Sequence, residues 1–307
     1  MRIVPLDRIR AVLDYREIAG RMRDALIAQS RGECDTPMPM HLAIPAEQAE
    51  VHMKSSYRTG GRYFALKIAA TFPRNAARGL SVGNGMMLLC SAETGEPVGF
   101  LADGGHLTDV RTAAAAAMTA RELGLADRTL GILGSGIQAR LCAAVFAAVL
   151  GVERVVLWGR SAQRARACAD DLAAEVSLAS SPAEVARECR LIVTCTAARE
   201  PLLYAHDVMP GTHIAAIGAD SPGKQELEAA VLRRAALVLA DSRRQCEKLG
   251  ELQHAPDLWG KAVEIGEWCA APRALPPEAI TVADFTGLGV EDLYIAELVY
   301  EKVIQSP

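Results

Sequence analysis

The sequence predicts an α/β fold in which a doubly wound parallel sheet is accompanied by a smaller α+β domain. From residue 129 onward, short apolar runs alternate with helical stretches, as expected for parallel strands connected by helices. Before residue 104, alternating apolar runs are separated by turn-forming residues, which favours an antiparallel sheet. The expected parallel strands are residues 131–133, 155–158, 191–195, 213–217 and 236–240, with helices at 139–150 and 162–175 and the block ending near 281–284.

The remaining elements are expected from local patterns. The alanine-rich stretch 111–123 is a strong helix former that leads into the parallel-sheet region. Residues 93–96 have the composition of a hairpin turn. The other expected elements are a helix at 7–30 with Gly20 as a weak point, strands at 62–71, 84–92 and 97–103, and a final helix at 290–303.

A glycine-rich turn follows the first parallel strand. Residues 134–139 read Gly-Ser-Gly-Ile-Gln-Ala and fit the pattern G-x-G-x-x-A. The first glycine permits a tight turn, the second lets the backbone approach a pyrophosphate, and the small third residue lets helix pack on strand. The helix that follows directs its free N–H groups and positive end toward that phosphate. The sequence therefore predicts a Rossmann dinucleotide site that involves Gly134, Gly136, Ile137 and Gln138.

The end of the second parallel strand bears on the choice of cofactor. Enzymes that prefer NAD usually place a carboxylate there, on the ribose 2′-hydroxyl. This chain has Gly159-Arg160-Ser161 instead, and an arginine beside a hydroxyl suits a 2′-phosphate. NADP(H) is therefore favoured and NAD(H) stays open, as does the interpretation of Arg160 as a solvated turn residue. Thr196, after the strand at 191–195, is assigned to the same site.

Composition excludes several classes of function. The 307 residues carry a net charge of −4 without a basic cluster, which argues against nucleic acid and anionic membranes as partners. No run is long enough to span a bilayer, and the first residues lack the apolar core of a signal peptide. The eight cysteines form no C-x-x-C pair, so we expect neither disulfides nor a metal site, but free thiols in a reducing cytoplasm.

Four charged residues could take part in chemistry. Lys67 lies in a strongly apolar strand, where a lysine needs a partner. Arg111 opens the alanine-rich helix and has the planar fork that binds carboxylates, whereas Lys54 is a weaker candidate. Asp220 follows the strand at 213–217, so it either faces a ligand cleft or serves as a turn or helix-cap residue.

These residues together resemble the ornithine cyclodeaminase/mu-crystallin family over residues 37–296. The resemblance implies a Rossmann domain, a dimerising N-terminal domain, and an amino or imino acid held over the nicotinamide ring between them. It also implies that Arg111 binds the substrate carboxylate, that Lys67 lies beside the reacting carbon–nitrogen centre, and that Asp220 acts as an acid or base, as in cyclodeaminases. The matching segments are Leu66-Lys67 and residues 107–114, 134–139, 210–214, 220–227 and 287–292.

Three departures from the family pattern concern ligand specificity. His41 stands where the family often has an arginine that grips carboxylate, and Lys54 replaces the proline of a usual Met-Pro pair. Both changes fall in the substrate pocket that the resemblance implies. Cyclodeaminases that recycle tightly held NAD resemble enzymes with an acidic residue at the position of Arg160, which this chain lacks.

Three functions are compatible with these features. The first is an NAD(P)-dependent oxidoreductase that acts on the Cα–N bond of an amino acid or imino acid. The second is a cyclodeaminase-type ammonia lyase, and the third is an NADPH-dependent binding protein of mu-crystallin type. The expected organisation is a homodimer with a substrate-binding and dimerisation domain at 1–115 plus 290–307 and a Rossmann domain at 116–289.

Overall fold

The structure, a computed structural model, describes residues 1–305, so the last two residues of the expected substrate-binding domain lie outside it. The chain forms two compact units, one from residues 1–111 and 288 onward and one from residues 112–287. The helices are Leu6–Ala11 (α1), Tyr15–Ser30 (α2), His106–Glu122 (α3), Ile137–Leu150 (α4), Ala162–Asp170 (α5), Pro182–Glu188 (α6), Ala229–Arg234 (α7), Arg243–Leu249 (α8), Ile265–Ala270 (α9) and Gly289–Gln305 (α10), with short 3-10 helices at Pro45–Glu47, Pro73–Arg78, Glu251–His254 and Pro256–Leu258. The strands are Arg2–Pro5 (β1), Cys34–Asp35 (β2), Met40–Ile44 (β3), Ala49–Arg58 (β4), Tyr63–Thr71 (β5), Gly83–Ser91 (β6), Pro97–Ala102 (β7), Thr129–Leu133 (β8), Arg154–Trp158 (β9), Glu175–Leu178 (β10), Leu191–Thr194 (β11), Arg199–Leu203 (β12), His213–Ala216 (β13), Gln225–Leu227 (β14), Leu237–Ala240 (β15), Val263–Glu264 (β16) and Thr281–Asp284 (β17).

The first unit is built on a mainly antiparallel sheet. Its strand order is β1-β7-β6-β5-β4-β2, with β3 paired to β4, and only the β1–β7 pair is parallel. Helix α10 packs on β4 and β5 and against α2, so one face of the sheet is covered by helix. The opposite face exposes large apolar side chains, among them Met40, Leu66, Ile68 and Met86.

The N-terminal helical region differs from the single helix expected at residues 7–30. It is divided into α1 and α2, and Asp14 caps the second helix by accepting a hydrogen bond from the backbone N–H of Glu17 at 2.9 Å. Gly20 lies within α2 without interrupting it. The break therefore occurs at a side chain that can cap a helix rather than at the flexible glycine.

The second unit confirms the predicted doubly wound sheet. Its strands are all parallel in the order β10-β9-β8-β11-β13-β17-β15-β16. The chain direction across the sheet reverses between β8 and β11, and ligands of such sheets bind at the carboxyl ends of the strands at this switch point. The glycine turn at residues 134–136 directly follows β8, and Thr196 lies two residues beyond the end of β11.

Two regions of the second unit differ from expectation. The helix expected at residues 162–175 ends at Asp170, and Glu175–Leu178 forms the edge strand β10. A separate two-stranded sheet of β12 and β14 lies outside the main sheet. Across residues 1–305, every helix is too short or too polar to cross a bilayer.

Candidate functional site

A buried cluster of charges occupies the helix-covered side of the first unit. Asp292 of α10 accepts hydrogen bonds from Lys67 Nζ at 3.0 Å and from Arg111 Nε at 3.1 Å through the same oxygen, Oδ1. Its other oxygen lies 2.8 Å from Lys67 Nζ. Glu291 accepts a further bond from Arg111 Nη1 at 3.1 Å. All four side chains are almost fully buried, so one carboxylate holds Lys67 and Arg111 side by side out of water.

Close backbone packing brings α10 to this cluster. A Cβ atom on Gly289 would lie 2.3 Å from the carbonyl oxygen of Ser55, so only glycine lets the helix begin against strand β4. The Glu291 carboxylate also accepts a bond from the backbone N–H of Leu288 at 2.6 Å, which fixes the start of the helix. Asp292 therefore reaches strand β5, which carries Lys67.

Helix α3 positions Arg111. The Asp103 carboxylate accepts a hydrogen bond from the backbone N–H of Leu107 at 2.8 Å and so satisfies a free donor of the first turn. Gly104 and Gly105, which lie between Asp103 and the helix, have positive φ angles of 62° and 92° that favour glycine. Arg111 follows one turn after Leu107, on a helix whose residues 113–117 are buried alanines.

The pKa values of Lys67 and Asp292 respond to burial and to the neighbouring charges. Burial lowers the pKa of Lys67 and the positive charges of Arg111 and Lys54 lower it as well, against the opposing effect of Asp292, and the resulting pKa is about 7. Burial by itself would raise the pKa of Asp292, but the charges of Lys67, Arg111 and Lys54 bring it below its usual value. Asp292 is therefore an anion at neutral pH, whereas Lys67 can gain or lose its proton there.

In the structure, Lys54 is paired with Lys67 of this cluster, whereas His41 is paired with His52 in the next row of the sheet. Lys54 of β4 is paired directly with Lys67 in the antiparallel sheet and is half-buried. His41 lies on β3, exposed, and pairs with His52 of β4, whose ring centroid is 5.0 Å from its own. Because residues two apart on a strand share a face, His52 and Lys54 lie on the same face of the sheet.

The glycine turn in the second unit has a geometry that suits a dinucleotide. Gly134 has a φ of +138°, and a Cβ there would lie 2.6 Å from Cys195 Sγ, so no other residue fits. A Cβ on Gly136 would instead meet nothing within 4 Å, which leaves open space above the turn. Gly136 begins α4 without a side-chain cap, and Ile137 in the first turn is 53% exposed. Backbone donors, open space and the partly buried Gln138 beside them fit a pyrophosphate.

Arg140 supports this turn, a role that the sequence analysis did not foresee. Its Nη1 donates to the carbonyl oxygens of Ser135 and Gly136, both at 3.1 Å. Its Nε donates to Asp171 at 2.8 Å, which holds the guanidinium in place. An arginine in the first helical turn after such a glycine motif was the available signal, because its long side chain can reach back over the turn.

Arg160 and Ser161 have different roles in the structure. Ser161 caps α5, since its Oγ accepts a hydrogen bond from the backbone N–H of Arg164 at 3.3 Å. Arg160 follows β9, is exposed, and has no ion-pair partner within residues 1–305. A Cβ on the preceding Gly159 would lie 2.9 Å from Ser135 Oγ, so this strand end is close to the glycine turn.

Thr196 is held by a buried carboxylate that the sequence analysis missed. Glu226 accepts hydrogen bonds from the Thr196 backbone N–H at 2.6 Å and from its hydroxyl at 2.7 Å. The same carboxylate accepts from Thr194 Oγ1 at 2.7 Å and from the backbone N–H of Gly218 at 3.0 Å. Glu226 therefore ties the carboxyl end of β11 to the segment that follows β13. Glu226 stands between Gln225 and Leu227 in the sequence, so no local pattern indicated its burial.

Asp220 lies two residues beyond Gly218 in the same segment. Its Oδ1 accepts hydrogen bonds from Lys224 Nζ at 2.6 Å and from Ser221 Oγ at 3.1 Å. The side chain is 45% exposed. Asp220 is thus part of a half-exposed ion pair rather than the cap of a helix.

Comparison with known proteins identifies the family. The profile of the Ornithine cyclodeaminase/mu-crystallin family matches residues 6–306. A Rhizobium meliloti protein that bears the name of a dehydrogenase is 36% identical over 312 residues, which cover 98% of this chain and 92% of that protein.

Solved structures share the fold over almost the whole chain. An archaeal alanine dehydrogenase dimer with bound NAD has a TM-score of 0.87 at 28% identity, covering 99% of this chain and 96% of its own. The iminosuccinate reductase of Paracoccus denitrificans in complex with NAD+ has a TM-score of 0.86 at 27% identity, with coverage of 99% and 97%. A lysine cyclodeaminase has a TM-score of 0.87 at 29% identity, with coverage of 99% and 92%. This chain belongs to the ornithine cyclodeaminase/mu-crystallin family.

Proposed function

We propose that this protein is an NAD(P)-dependent oxidoreductase that acts on the Cα–N bond of an amino acid or imino acid. The observation that carries the proposal is the buried Lys67–Asp292–Arg111 cluster, in which a lysine able to titrate near neutral pH adjoins a carboxylate-binding arginine. Its dehydrogenase and reductase relatives support the same chemistry. The type of reaction would be that of a ketimine or pyrroline-carboxylate reductase or an amino-acid dehydrogenase.

Each unit would supply one part of the reaction. In the first unit, Arg111 would bind the α-carboxylate through its planar fork, and Lys67 would give a proton to the amine nitrogen or take one from it. Asp292 would hold both side chains in place. In the second unit, the turn at residues 134–136 would bind the cofactor pyrophosphate and Asp220 would relay a proton. A bound nicotinamide supplies or accepts the hydride.

NADP(H) is the cofactor that we propose, although the two structural relatives described with a cofactor bind NAD. Arg160 supports this preference because it is exposed, lacks an ion-pair partner within the described chain and follows the strand end that reads the ribose. The Ser161 hydroxyl already accepts a helix-capping bond, so the recognition of a 2′-phosphate would rest mainly on Arg160.

A cyclodeaminase-type lyase is the second candidate. Asp220 favours it, because this carboxylate is partly exposed and could exchange a proton with a substrate amine. The similarity to lysine cyclodeaminase supports the same reading. The lyase would release ammonia without a net change in nicotinamide, which separates it from the first proposal.

A homodimer is the assembly that we propose. The outer face of the first unit's sheet forms an apolar groove of about 420 Å³, and Met40, Leu66 and Ile68 on it are 63%, 41% and 39% exposed. Apolar patches of this kind mark interaction surfaces, and the alanine dehydrogenase relative is a dimer. Ile68→Glu should yield monomers in light scattering, whereas a persistent dimer would place the interface elsewhere.

We also propose a cytoplasmic location, in keeping with the eight free thiols.

The proposed activity is tested by nicotinamide absorbance with purified protein and Δ1-pyrroline-2-carboxylate. NADPH and NADH are assayed in parallel, and ammonia release from L-ornithine is measured with the same preparation. Oxidation of NADPH that is faster than that of NADH would support the reductase and the role of Arg160. Ammonia release without net nicotinamide oxidation would instead favour the lyase.

A further inference from the structure

Three side chains that can ligate a metal lie together where strand β3 pairs with β4. His41 of β3 is paired directly with His52 of β4, and Glu50 lies two residues before His52 on the same strand. Directly paired residues of antiparallel strands project to the same face, as do residues two apart on one strand. One ligand atom from each of the three side chains lies within 4.8 Å of the others. Within residues 1–305, no other set of three histidine, cysteine or carboxylate side chains comes this close.

The distances in this cluster are close to those around a bound metal ion. His52 Nε2 lies 3.6 Å from Glu50 Oε2, which is longer than an N–H···O hydrogen bond of about 2.7–3.2 Å. Around a tetrahedral metal with bonds of about 2.0–2.1 Å, neighbouring ligand atoms lie about 3.3 Å apart. The rings of His41 and His52 are tilted by 54° and have centroids 5.0 Å apart, so they do not stack face to face. A small rotation of the exposed His41 ring would bring all three ligand atoms within bonding distance of one ion.

The types of ligand favour a transition metal. Zinc uses two histidines and a glutamate together with a water in the fourth position, whereas magnesium and calcium prefer oxygen ligands. Glu50 supplies a negative charge, and it lies on the side of His52 away from Lys54, so the ion would be held away from that ammonium group. The side chains of His52 and Glu50 are 20% and 33% exposed, and His41 is exposed, so an ion and a water can reach them.

Strand β3 is the element that a metal would stabilise here. Its first four residues are exposed, and it pairs with β4 alone. The 3-10 helix Pro45–Glu47 connects the two strands at one end, where Ile44 pairs with Ala49. The pair of His41 and His52 lies toward the other end of this hairpin. An ion held by one ligand from β3 and two from β4 would therefore link the strands a second time.

We propose that His41, Glu50 and His52 form a binding site for one divalent transition metal ion, with zinc as its representative, and that the ion fastens β3 to β4. A water would complete the coordination, and His41 would contact the metal rather than the substrate. Cysteine spacing gave no indication of this site, because its ligands are histidines and a glutamate on paired strands. The site does not depend on the proposed reaction, since it lies in different rows of the sheet from Lys67.

Calorimetric metal titration of the untagged protein, after treatment with a chelator and its removal, tests the proposal. One Zn²⁺ should bind per chain with a Kd of about 10 µM or tighter, and Mg²⁺ should not bind at the same concentrations. His41→Gln removes an exposed ligand and should weaken zinc binding by more than 100-fold, because even an outer-shell partner contributes about 10- to 100-fold. The control His206→Gln should bind zinc like the wild type. His206 Nε2 also lies 3.6 Å from a carboxylate, that of Asp207, but this pair has no third ligand within the described chain.

Cobalt substitution and hydrogen exchange show where the ion is bound. Co²⁺ at this site should give visible bands without a thiolate-to-metal charge-transfer band, which distinguishes it from binding by the eight free cysteines. Zinc should slow the amide exchange of residues 40–44 in the wild type and not in His41→Gln. Circular dichroism and Tm without metal show whether each variant is folded, and Glu50→Gln, which keeps the side-chain size, should give the same loss of binding. Absence of one-to-one binding, equal binding by His41→Gln and wild type, or a thiolate band would overturn the proposal.

Discussion

Both units bury carboxylates, but the cluster around Lys67 and Arg111 in the first unit pairs its carboxylates with cations, whereas the second unit relies on hydrogen bonds. In the first unit, Asp292 and Glu291 are paired with the cations Lys67 and Arg111. In the second unit, the buried carboxylates accept hydrogen bonds from backbone N–H groups and hydroxyls. Glu251, for example, accepts from the backbone N–H of Glu226 at 2.7 Å, and its own N–H donates to Asp284 at 2.9 Å.

This difference distinguishes the proposed reaction site in the first unit from carboxylates that hold the second unit's segments together. Fixed backbone donors hold loops in place, and Glu226, Glu251 and Asp284 link successive segments of the second unit in this way. Burial raises the pKa of Asp284 to about 7, and it raises those of Glu226 and Glu251. In the first unit, Lys67, with its pKa lowered to about 7, lies beside an arginine that remains charged at every accessible pH. The following predictions test this contrast.

Replacement of the titrating lysine should have the largest effect. Lys67→Met removes the proton donor but keeps an apolar stem of similar length, and Arg111 remains to pair with Asp292. We expect kcat to fall by about 10²- to 10⁴-fold, with NADPH affinity within about twofold of wild type, since the cofactor motif lies in the other unit. Steady-state kinetics and tryptophan fluorescence measure the two quantities. The control Lys302→Met should be fully active, and near-normal turnover by Lys67→Met would refute the assignment.

A conservative change of the arginine should act mainly on substrate binding. Arg111→Lys keeps the charge and loses the planar fork, so the apparent KM for the amino or imino acid should rise by about 10- to 100-fold. Arg121→Lys on the same helix, at a half-exposed position, serves as the matched control. If KM is unaltered and only stability declines, Arg111 is a structural partner of α10 and nothing more.

A variant in the second unit should distinguish between NADP(H) and NAD(H) as the cofactor. Arg160→Ala should raise the KM for NADPH by about tenfold and leave that for NADH unaltered, because only the former carries a 2′-phosphate. Arg166→Ala, another exposed arginine on the following helix, is the control. A parallel change in both KM values, or in neither, would show that Arg160 does not read the ribose.

The buried carboxylates of the second unit should affect the free energy of unfolding, and this effect should be smaller than those on activity. Asp284 has a raised pKa of about 7 in the folded protein, so between about pH 4 and pH 7 it is protonated when folded and ionised when unfolded. Its contribution to the free energy of unfolding therefore decreases as pH rises through this range, by on the order of 1 kcal/mol per pH unit at most.

Asp284→Asn should make urea-unfolding free energies less dependent on pH between 4 and 7. It should also cost about 1–3 kcal/mol near pH 4, because the amide cannot accept both backbone bonds, and this cost should become smaller as pH rises toward 7. Asp257→Asn on the surface, whose carboxylate pairs with exposed Arg233, is the control. An undiminished pH dependence in Asp284→Asn would assign the titration to another group.

Sequence reasoning succeeded where structure depends on short segments. The glycine turn at 134–136 and the alternation of short apolar runs with helical stretches are local patterns, so the parallel sheet could be predicted. The edge strand Glu175–Leu178 was missed because a four-residue strand with mixed polarity resembles the end of the preceding helix.

The site was harder to predict because its partners are distant in sequence. Lys67 was correctly expected to need a partner, but Asp292 lies 225 residues later, and periodicity cannot connect them. Glu226 reaches Thr196 across 30 residues in the same way. The sequence could still predict that Lys67 has a partner, because a charged side chain in an apolar segment must be compensated by another group in the fold.

The pH profile of kcat/KM for imine reduction by NADPH tests the role of Lys67 most directly. The wild-type value should be high below pH 7 and fall above it, because the reducing direction needs the protonated lysine and burial lowers its pKa to about 7. Lys67→Arg, which stays protonated, should be slower but lose this inflection, and it controls for titration of the substrate. A wild-type profile that is flat from pH 6 to 8, or an inflection that persists in Lys67→Arg, would contradict the proposal that Lys67 donates the proton.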